Sequence, residues 1–197
     1  MKPIADGSPP ATGKFPGIKY VFLDRDGVTN RKLPEGQFVR CWRDFEFLPG
    51  AESAIAALNR SGRHIIVISN QRGIALGLYT CADVETLHMK LQERMAEHDA
   101  HIDAFYYCPH DRNQCDCRKP KTGLFEQVFR DFPEASRQNS IVIGDSISDI
   151  QAARALGLLA IFIQGDPKTQ KPGAEKAAAL ADAVANSLIE AVEKYLC

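Results

Sequence analysis

The stretch YVFLDRDGVTN, residues 20–30, decides how this chain folds. Tyr20 to Leu23 is a short apolar run of β-forming residues, the kind that makes a buried strand. It stops on two carboxylates two residues apart, Asp24 and Asp26, and Gly27 then lets the backbone turn sharply. Turn and capping chemistry accounts for such a pattern as readily as a reactive site does. Its meaning therefore rests on what accompanies it.

Outward from this stretch, similar apolar runs recur at Ile65 to Ile68, Ala104 to Tyr107, Ile141 to Ile143 and Leu159 to Ile163. Helical patterns separate them: Ala51 to Arg60, Ala82 to Ala96 with Thr80 as its cap, Gly123 to Phe132, and Asp149 to Leu156. A last helical spacing, Leu188, Val192 and Leu196, lies in 186–196, and the Ala-rich tract 174–185 reads as low complexity. Parallel strands need crossover connections and helices supply them, so the alternation predicts an α/β fold with a mostly parallel sheet covered on both faces. Residues 1–17, rich in Pro, Gly, Ala and Ser, read as a flexible leader, with a single domain over 18–197.

Each chemically rich cluster follows one of these runs: Asp24 after VFL, Ser69 after IIVI, Cys108 after AFYY, Asp145 after IVIG. Open α/β sheets bind ligands at the carboxyl ends of their strands, so one pocket can collect all four. Asp145, with Asp149 four residues on, sits where Ser146 or Ser148 also fits as a helix cap. Together with Asp24, Asp145 supplies the anionic oxygen set that Mg²⁺ prefers. Ser69 and Asn70 offer a hydroxyl and an amide for phosphoryl oxygens, or simply a turn. Arg118 and Lys119, with Lys121 nearby, concentrate positive charge close to these motifs.

The segment CPHDRNQCDC contributes Cys108, His110, Cys115 and Cys117, a donor set whose type and compact spacing fit tetrahedral Zn²⁺. The other reading is reduced cysteines beside a chance histidine. Four protein ligands close the coordination sphere, which makes the expected role structural: the metal would clamp the loop and aim Arg118 and Lys119. Cys41, Cys81 and Cys197 read as bystanders. His64, His88, His98 and His101 read as surface or helix-face residues.

Composition is that of an ordinary soluble domain, 45% apolar and 25% charged over 197 residues, with net charge −1. Nothing global points to nucleic acid or an anionic membrane as partner. No run reaches the roughly 18 apolar residues that span a bilayer, and the start lacks the apolar core of a signal peptide, so a cytoplasmic monomer is expected.

The ordered set DRDGV, Ser69, Lys119 and GDSISD resembles the haloacid dehalogenase (HAD) superfamily of phosphohydrolases over about 18–164. The resemblance implies a Rossmann-like sheet flanked by helices. Between the motifs there is no insertion large enough for a separate cap domain. It also implies that Asp24 is the nucleophile that becomes an aspartyl phosphate, and that Asp26 is general acid and base. Asp24, Asp145 and the Asp26 carbonyl would hold Mg²⁺, Asp149 would assist, and Ser69 would grip the phosphoryl group.

Zinc-loop members of the superfamily include heptose bisphosphate phosphatases and histidinol-phosphate phosphatases, and this chain resembles both. DRDGVTN, SNQRGIALGLYT and CDCRKPKTG are closer to the former, whereas the four-residue spacing between His110 and Cys115 is nearer the latter. The expected activity is a Mg²⁺-dependent sugar-phosphate phosphatase serving surface-glycan synthesis, with a small phosphoester as the alternative substrate. A catalytically dead zinc-stabilised binding module is the reading of a different class. For 31–46 two readings stay open: Trp42, Arg31, Arg40 and Arg43 recognise a sugar and a second phosphate, or they form an exposed hairpin around a packed Trp.

Overall fold

Strand by strand, the apolar runs become one parallel sheet. The computed structural model describes residues 13–170 and 172–197, and its elements in chain order are β1 (Tyr20–Leu23), α1 (Ala51–Arg60), β2 (His64–Asn70), α2 (Cys81–Ala96), β3 (Ala104–Cys108), α3 (Gly123–Asp131), β4 (Ser140–Gly144), α4 (Ile147–Leu156), β5 (Leu159–Ile163), α5 (Ala174–Leu180), β6 (Ala183–Ala185) and α6 (Leu188–Tyr195). The strand order is β3-β2-β1-β4-β5-β6, and every neighbouring pair is parallel. Chain direction across the sheet reverses at β1, so the β1–β4 boundary is the switch point.

Alternation along each strand divides the core in two. Val21, Leu23, Ile65, Val67, Ile141 and Ile143 face α1, α2 and α6. Tyr20, Phe22, Ile66, Ile68, Val142 and Phe162 face α3, α4 and α5. Because both faces are covered, the strands read as continuous apolar runs instead of alternating ones. Each fully buried Ile, Leu or Phe contributes about 1.5–3 kcal/mol, and Ile143→Ala would cost about 2–5 kcal/mol.

Local signals set the helix starts. Thr80 and Asp83 form a reciprocal capping box at α2, Thr80 Oγ1 accepting from the Asp83 N–H at 3.2 Å and Asp83 Oδ2 accepting from the Thr80 N–H at 2.8 Å. Ser187 caps α6, its Oγ accepting from the Glu190 N–H at 3.3 Å.

Three elements differ from the sequence reading. The Ala-rich tract 174–185 holds α5 and the edge strand β6, because small side chains let Ala177 and Ala185 pack against the sheet without bulk. His88, read as a surface or helix-face residue, lies on the buried face of α2, 6% exposed, and stacks on Phe105 with ring centroids 4.3 Å apart. At the start of the chain, residues 1–12 of the expected leader lie outside the described residues. Phe15, expected in the same leader, is buried against Tyr195, and its N–H donates to the Tyr195 carbonyl at 3.1 Å. No described helix is long and apolar enough to cross a membrane.

Candidate active site

At the switch point β1 and β4 deliver their acidic ends side by side. The Asp24 N–H donates to the Ile143 carbonyl at 2.9 Å and carries the ladder one residue past β1. Gly27, at φ +100°, lets the next loop fold against Asp145; a Cβ there would stand 2.1 Å from Asp145 Oδ2. Asp24, Asp145 and Asp149 each bring a carboxylate oxygen within 4.8 Å of the others. Such an all-oxygen, anionic donor set fits a hard cation such as Mg²⁺.

Two lysines offset this charge. Lys119 Nζ, buried at 4% exposure, donates to Asp24 Oδ1 at 2.8 Å, Asp149 Oδ1 at 2.6 Å and the Ile68 carbonyl at 2.6 Å. Burial alone would lower its pKa, but Asp149 and Asp24 outweigh burial and raise it, so it stays an ammonium. Lys32 donates to Asp145 Oδ2. Sequence reasoning did not single out Lys32, because its partner lies 113 residues away. Asp149 serves two ends at once: its Oδ2 accepts from the Ser146 N–H at 3.1 Å and from Ser146 Oγ at 2.5 Å, which caps α4. The helix-cap reading of GDSISD therefore holds, and the capping Asp149 stands beside Asp24 and Asp145.

Asp26 faces a different neighbourhood. Arg25 Nη2 donates to its Oδ2 at 2.9 Å, Asn30 Nδ2 to its Oδ1 at 2.9 Å, and Gln71 Nε2 to its Oδ2 at 3.3 Å. Burial pushes the Asp26 carboxyl up, but the Arg25 charge and these donors together hold it below the usual carboxylate range. Ser69, 1% exposed at the end of β2, has its Oγ accepting from Gln71 Nε2 at 2.9 Å.

Asn70, expected beside Ser69 among the phosphoryl binders, lines the cleft and meets the Lys119 backbone. Its Nδ2 donates to the Lys119 carbonyl at 3.1 Å and its Oδ1 accepts from the Lys119 N–H at 3.1 Å. A side-chain amide matches a backbone amide donor for acceptor, so Asn70 clamps the segment that carries Lys119.

The same segment hangs from the Cys/His cluster. Cys108, His110, Cys115 and Cys117 each offer a donor atom within 4.8 Å of the others, with Cys117 Sγ 3.2 Å from both Cys108 Sγ and Cys115 Sγ. This sulfur-rich set fits a four-coordinate soft or borderline metal. Lys121, read from the sequence as positive charge near Arg118 and Lys119, braces this loop through the Cys115 carbonyl at 2.6 Å and Asp116 at 2.9 Å.

A cleft of 810 Å³ opens over the site, with Asp26, Asn70 and Ser146 on its wall. Lys32, Arg112, Arg118 and Lys168 bring positive charge to it. Arg118 Nη1 is buried with no hydrogen-bond partner among the described residues. From 31–46 the cleft takes Lys32 and the stretch Leu33 to Val39, but not the residues singled out from the sequence. Arg31 pairs with Glu46 at 3.0 Å, both side chains exposed, while Arg40 and Arg43 lie off the cleft lining. Trp42 stacks on Phe45 at 5.2 Å and meets Phe47 edge-on. Aromatic packing therefore claims the tryptophan, as in the second of the two open readings.

A HAD-hydrolase-like family model matches residues 116–191. Fold, switch-point site and family model together define a HAD-like phosphatase. A D-glycero-alpha-D-manno-heptose-1,7-bisphosphate 7-phosphatase of Mycobacterium bovis is 41% identical over 171 residues, covering 86% of this chain and 87% of the relative. The D-glycero-beta-D-manno-heptose-1,7-bisphosphate 7-phosphatase of Vibrio cholerae is 37% identical, covering 89% and 95%. The crystal structure of D,D-heptose 1,7-bisphosphate phosphatase from B. bronchiseptica, complexed with magnesium and phosphate, superposes with a TM-score of 0.78 at 29% identity, covering 89% and 97%. The chain belongs to the heptose-1,7-bisphosphate 7-phosphatase family of HAD-like hydrolases.

Proposed function

We propose that this phosphatase removes the 7-phosphate of a D-glycero-D-manno-heptose 1,7-bisphosphate through an aspartyl phosphate on Asp24. It would do so as a cytoplasmic monomer acting on a free sugar phosphate, with neither nucleic acid nor membrane as partner. The observation that carries the mechanism is the contrast between two carboxylates two residues apart. Asp24 lies 2.8 Å from the Lys119 ammonium, beside Asp145 and Asp149, while Asp26 is turned to Arg25, Asn30 and Gln71. Divergent environments on neighbouring acids are how one site assigns different roles to them.

In the first step an Asp24 oxygen attacks phosphorus and the bond from phosphorus to the sugar O7 breaks. Asp26 delivers the proton that the departing alkoxide needs. In the second step water attacks the phosphoryl group, its proton passes to Asp26, and the bond to Asp24 breaks to release inorganic phosphate. Asp26 is an anion at rest, so it takes up its proton only with a negatively charged phosphoryl group beside it. Lys119 stays charged throughout and offsets the repulsion between nucleophile and phosphate. The Ser69 hydroxyl suits the phosphoryl oxygens. Asp24, Asp145 and the Asp26 carbonyl would hold Mg²⁺, with Asp149 beside them, and the ion would supply further charge neutralisation. Zn²⁺ on Cys108, His110, Cys115 and Cys117 would be structural.

For the substrate, the support is charge. One transferred phosphate engages Lys119, which leaves Arg112, Arg118 and Lys168 on the cleft for a second, distal phosphate. The relatives named for heptose bisphosphates point the same way, and their names differ only in anomer. Phosphate release should be measured for both anomers of the bisphosphate, histidinol phosphate and simple sugar monophosphates, with and without Mg²⁺. The bisphosphate should show the highest kcat/KM and depend on Mg²⁺. Faster turnover of histidinol phosphate would mean that the short His110–Cys115 spacing reports the substrate.

A further inference from the structure

Three buried polar side chains on the cleft wall beside Asp26 form a connected set that the reaction as described leaves without a step of its own: Gln71 at 2% exposure, Tyr79 at 7% and Arg25 at 1%. The Tyr79 hydroxyl donates to Gln71 Oε1 at 2.8 Å, and Arg25 Nη2 approaches the same oxygen at 3.5 Å. Gln71 Oε1 is therefore committed as an acceptor. The opposite end of the amide, Nε2, then has both hydrogens assigned: one to Asp26 Oδ2 at 3.3 Å, the other to Ser69 Oγ at 2.9 Å. A primary amide has two donors and one acceptor atom, and here each is used.

The Tyr79 ring itself is held in place. It lies over Gly73, where a Cβ would stand 2.1 Å from Tyr79 Cε1, and it packs against Phe38 with centroids 6.1 Å apart. The Gln71 backbone is anchored separately, its N–H donating to the Cys108 carbonyl at 2.8 Å.

We infer that Tyr79 and Gln71 are positioning residues for the reaction: Tyr79 fixes which way the Gln71 amide points, and Gln71 in turn orients the carboxyl of Asp26 and the hydroxyl of Ser69. With Nε2 on Ser69 Oγ, the serine keeps its own hydrogen for a phosphoryl oxygen. With Nε2 on Asp26 Oδ2, Gln71 presents only donors to the acid, so a proton on Asp26 finds no acceptor there and is left for the leaving group. Without the tyrosine hydroxyl the amide can reverse and present its carbonyl oxygen to the acid, which would hold that proton on the Gln71 side instead of leaving it for the leaving group. This inference rests on the reading of Asp26 as the general acid.

The test separates alkoxide release, which needs a proton, from release of a stable phenolate, which does not. First-turnover release of the leaving group is followed for a sugar phosphate and for p-nitrophenyl phosphate in the parent protein, Tyr79→Phe, Gln71→Met and Asp26→Asn. Tyr79→Phe should slow the sugar phosphate about tenfold, the scale of one lost hydrogen bond at the reacting centre, and p-nitrophenyl phosphate by less than about twofold. The variant should still fold and unfold cooperatively, its melting temperature lowered only by the loss of one buried hydrogen bond, because the ring and its packing remain. Gln71→Met should show the same selectivity. Equal slowing of both substrates, or no slowing, in a folded Tyr79→Phe would overturn the inference, whatever Gln71→Met does to folding. If Asp26→Asn slows both substrates equally, the acid assignment itself fails and the inference fails with it. A selective loss in Asp26→Asn without one in Tyr79→Phe sinks the positioning role alone.

Discussion

Lys119 Nζ lies 2.8 Å from Asp24 Oδ1, across 95 residues of sequence, so the proposed nucleophile and the cation proposed to shield its target form one ion pair. Lys119 does not depend on Asp24 alone, since Asp149 and the Ile68 carbonyl also accept from it. Asp24→Asn should therefore fold with little loss of stability while phosphate release is abolished, because an amide cannot form the acyl phosphate. Lys119→Met should behave in the opposite sense on stability. It leaves Asp24 and Asp149 without their shared cation, and breaking a buried pair this way costs about 3–5 kcal/mol. Thermal melts of both variants beside a phosphate-release assay check this; substantial turnover in Asp24→Asn would remove the covalent mechanism.

The Cys/His cluster and Lys119 sit on one segment, clamped by Asn70. Metal analysis should find about one tightly held zinc per chain. Cys115→Ser should lower both the melting temperature and the activity, since metal binding and ordering of the loop are coupled. Fully active protein without zinc would contradict the structural role. Added Mg²⁺ should be needed separately, because it binds more weakly and exchanges with solvent.

Arg118 brings a buried guanidinium nitrogen without a hydrogen-bond partner among the described residues to the cleft. Arg118→Ala should reduce kcat/KM for a sugar bisphosphate by roughly tenfold to a hundredfold, the scale of one or two charge-assisted hydrogen bonds. It should affect a small aryl monophosphate much less. Steady-state kinetics on the two substrates measure the difference, and equal losses would detach Arg118 from the distal phosphate.

His88 gives the protein an acid-sensitive core contact. Burial, then the Arg25 charge, pushes its pKa down to about 3, with Asp26 opposing. The unfolded chain binds a proton there near pH 6.5 while the folded chain does not until about pH 3. The unfolded state thus holds more protons between these limits, so this contribution to stability is complete above about pH 6.5 and falls as the pH drops, by on the order of 1 kcal/mol per unit. Denaturant melts from pH 7 to 4 should show a shallower decline in His88→Leu than in the parent. An unchanged slope would mean that His88 is protonated at no cost in the folded state.

What the sequence determined by itself was local in kind. The β-forming run YVFL marks a strand from its own residues, DRDG and GDSISD place acids directly after such runs, and CPHDRNQCDC holds four candidate metal donors within ten positions. Each of these depends on neighbours in the chain, where backbone preference and side-chain chemistry act over a few residues. The tertiary structure decided the partners. It set Asn70 on the backbone of Lys119, 49 residues away, and put Lys32 on Asp145. It packed Trp42 away among phenylalanines, buried His88 against Phe105, and made the Ala-rich tract a helix and an edge strand. The physical reason is the crossover topology. The β1–β4 switch point gathers residues far apart in the chain, and only there do their donors, acceptors and charges select one another.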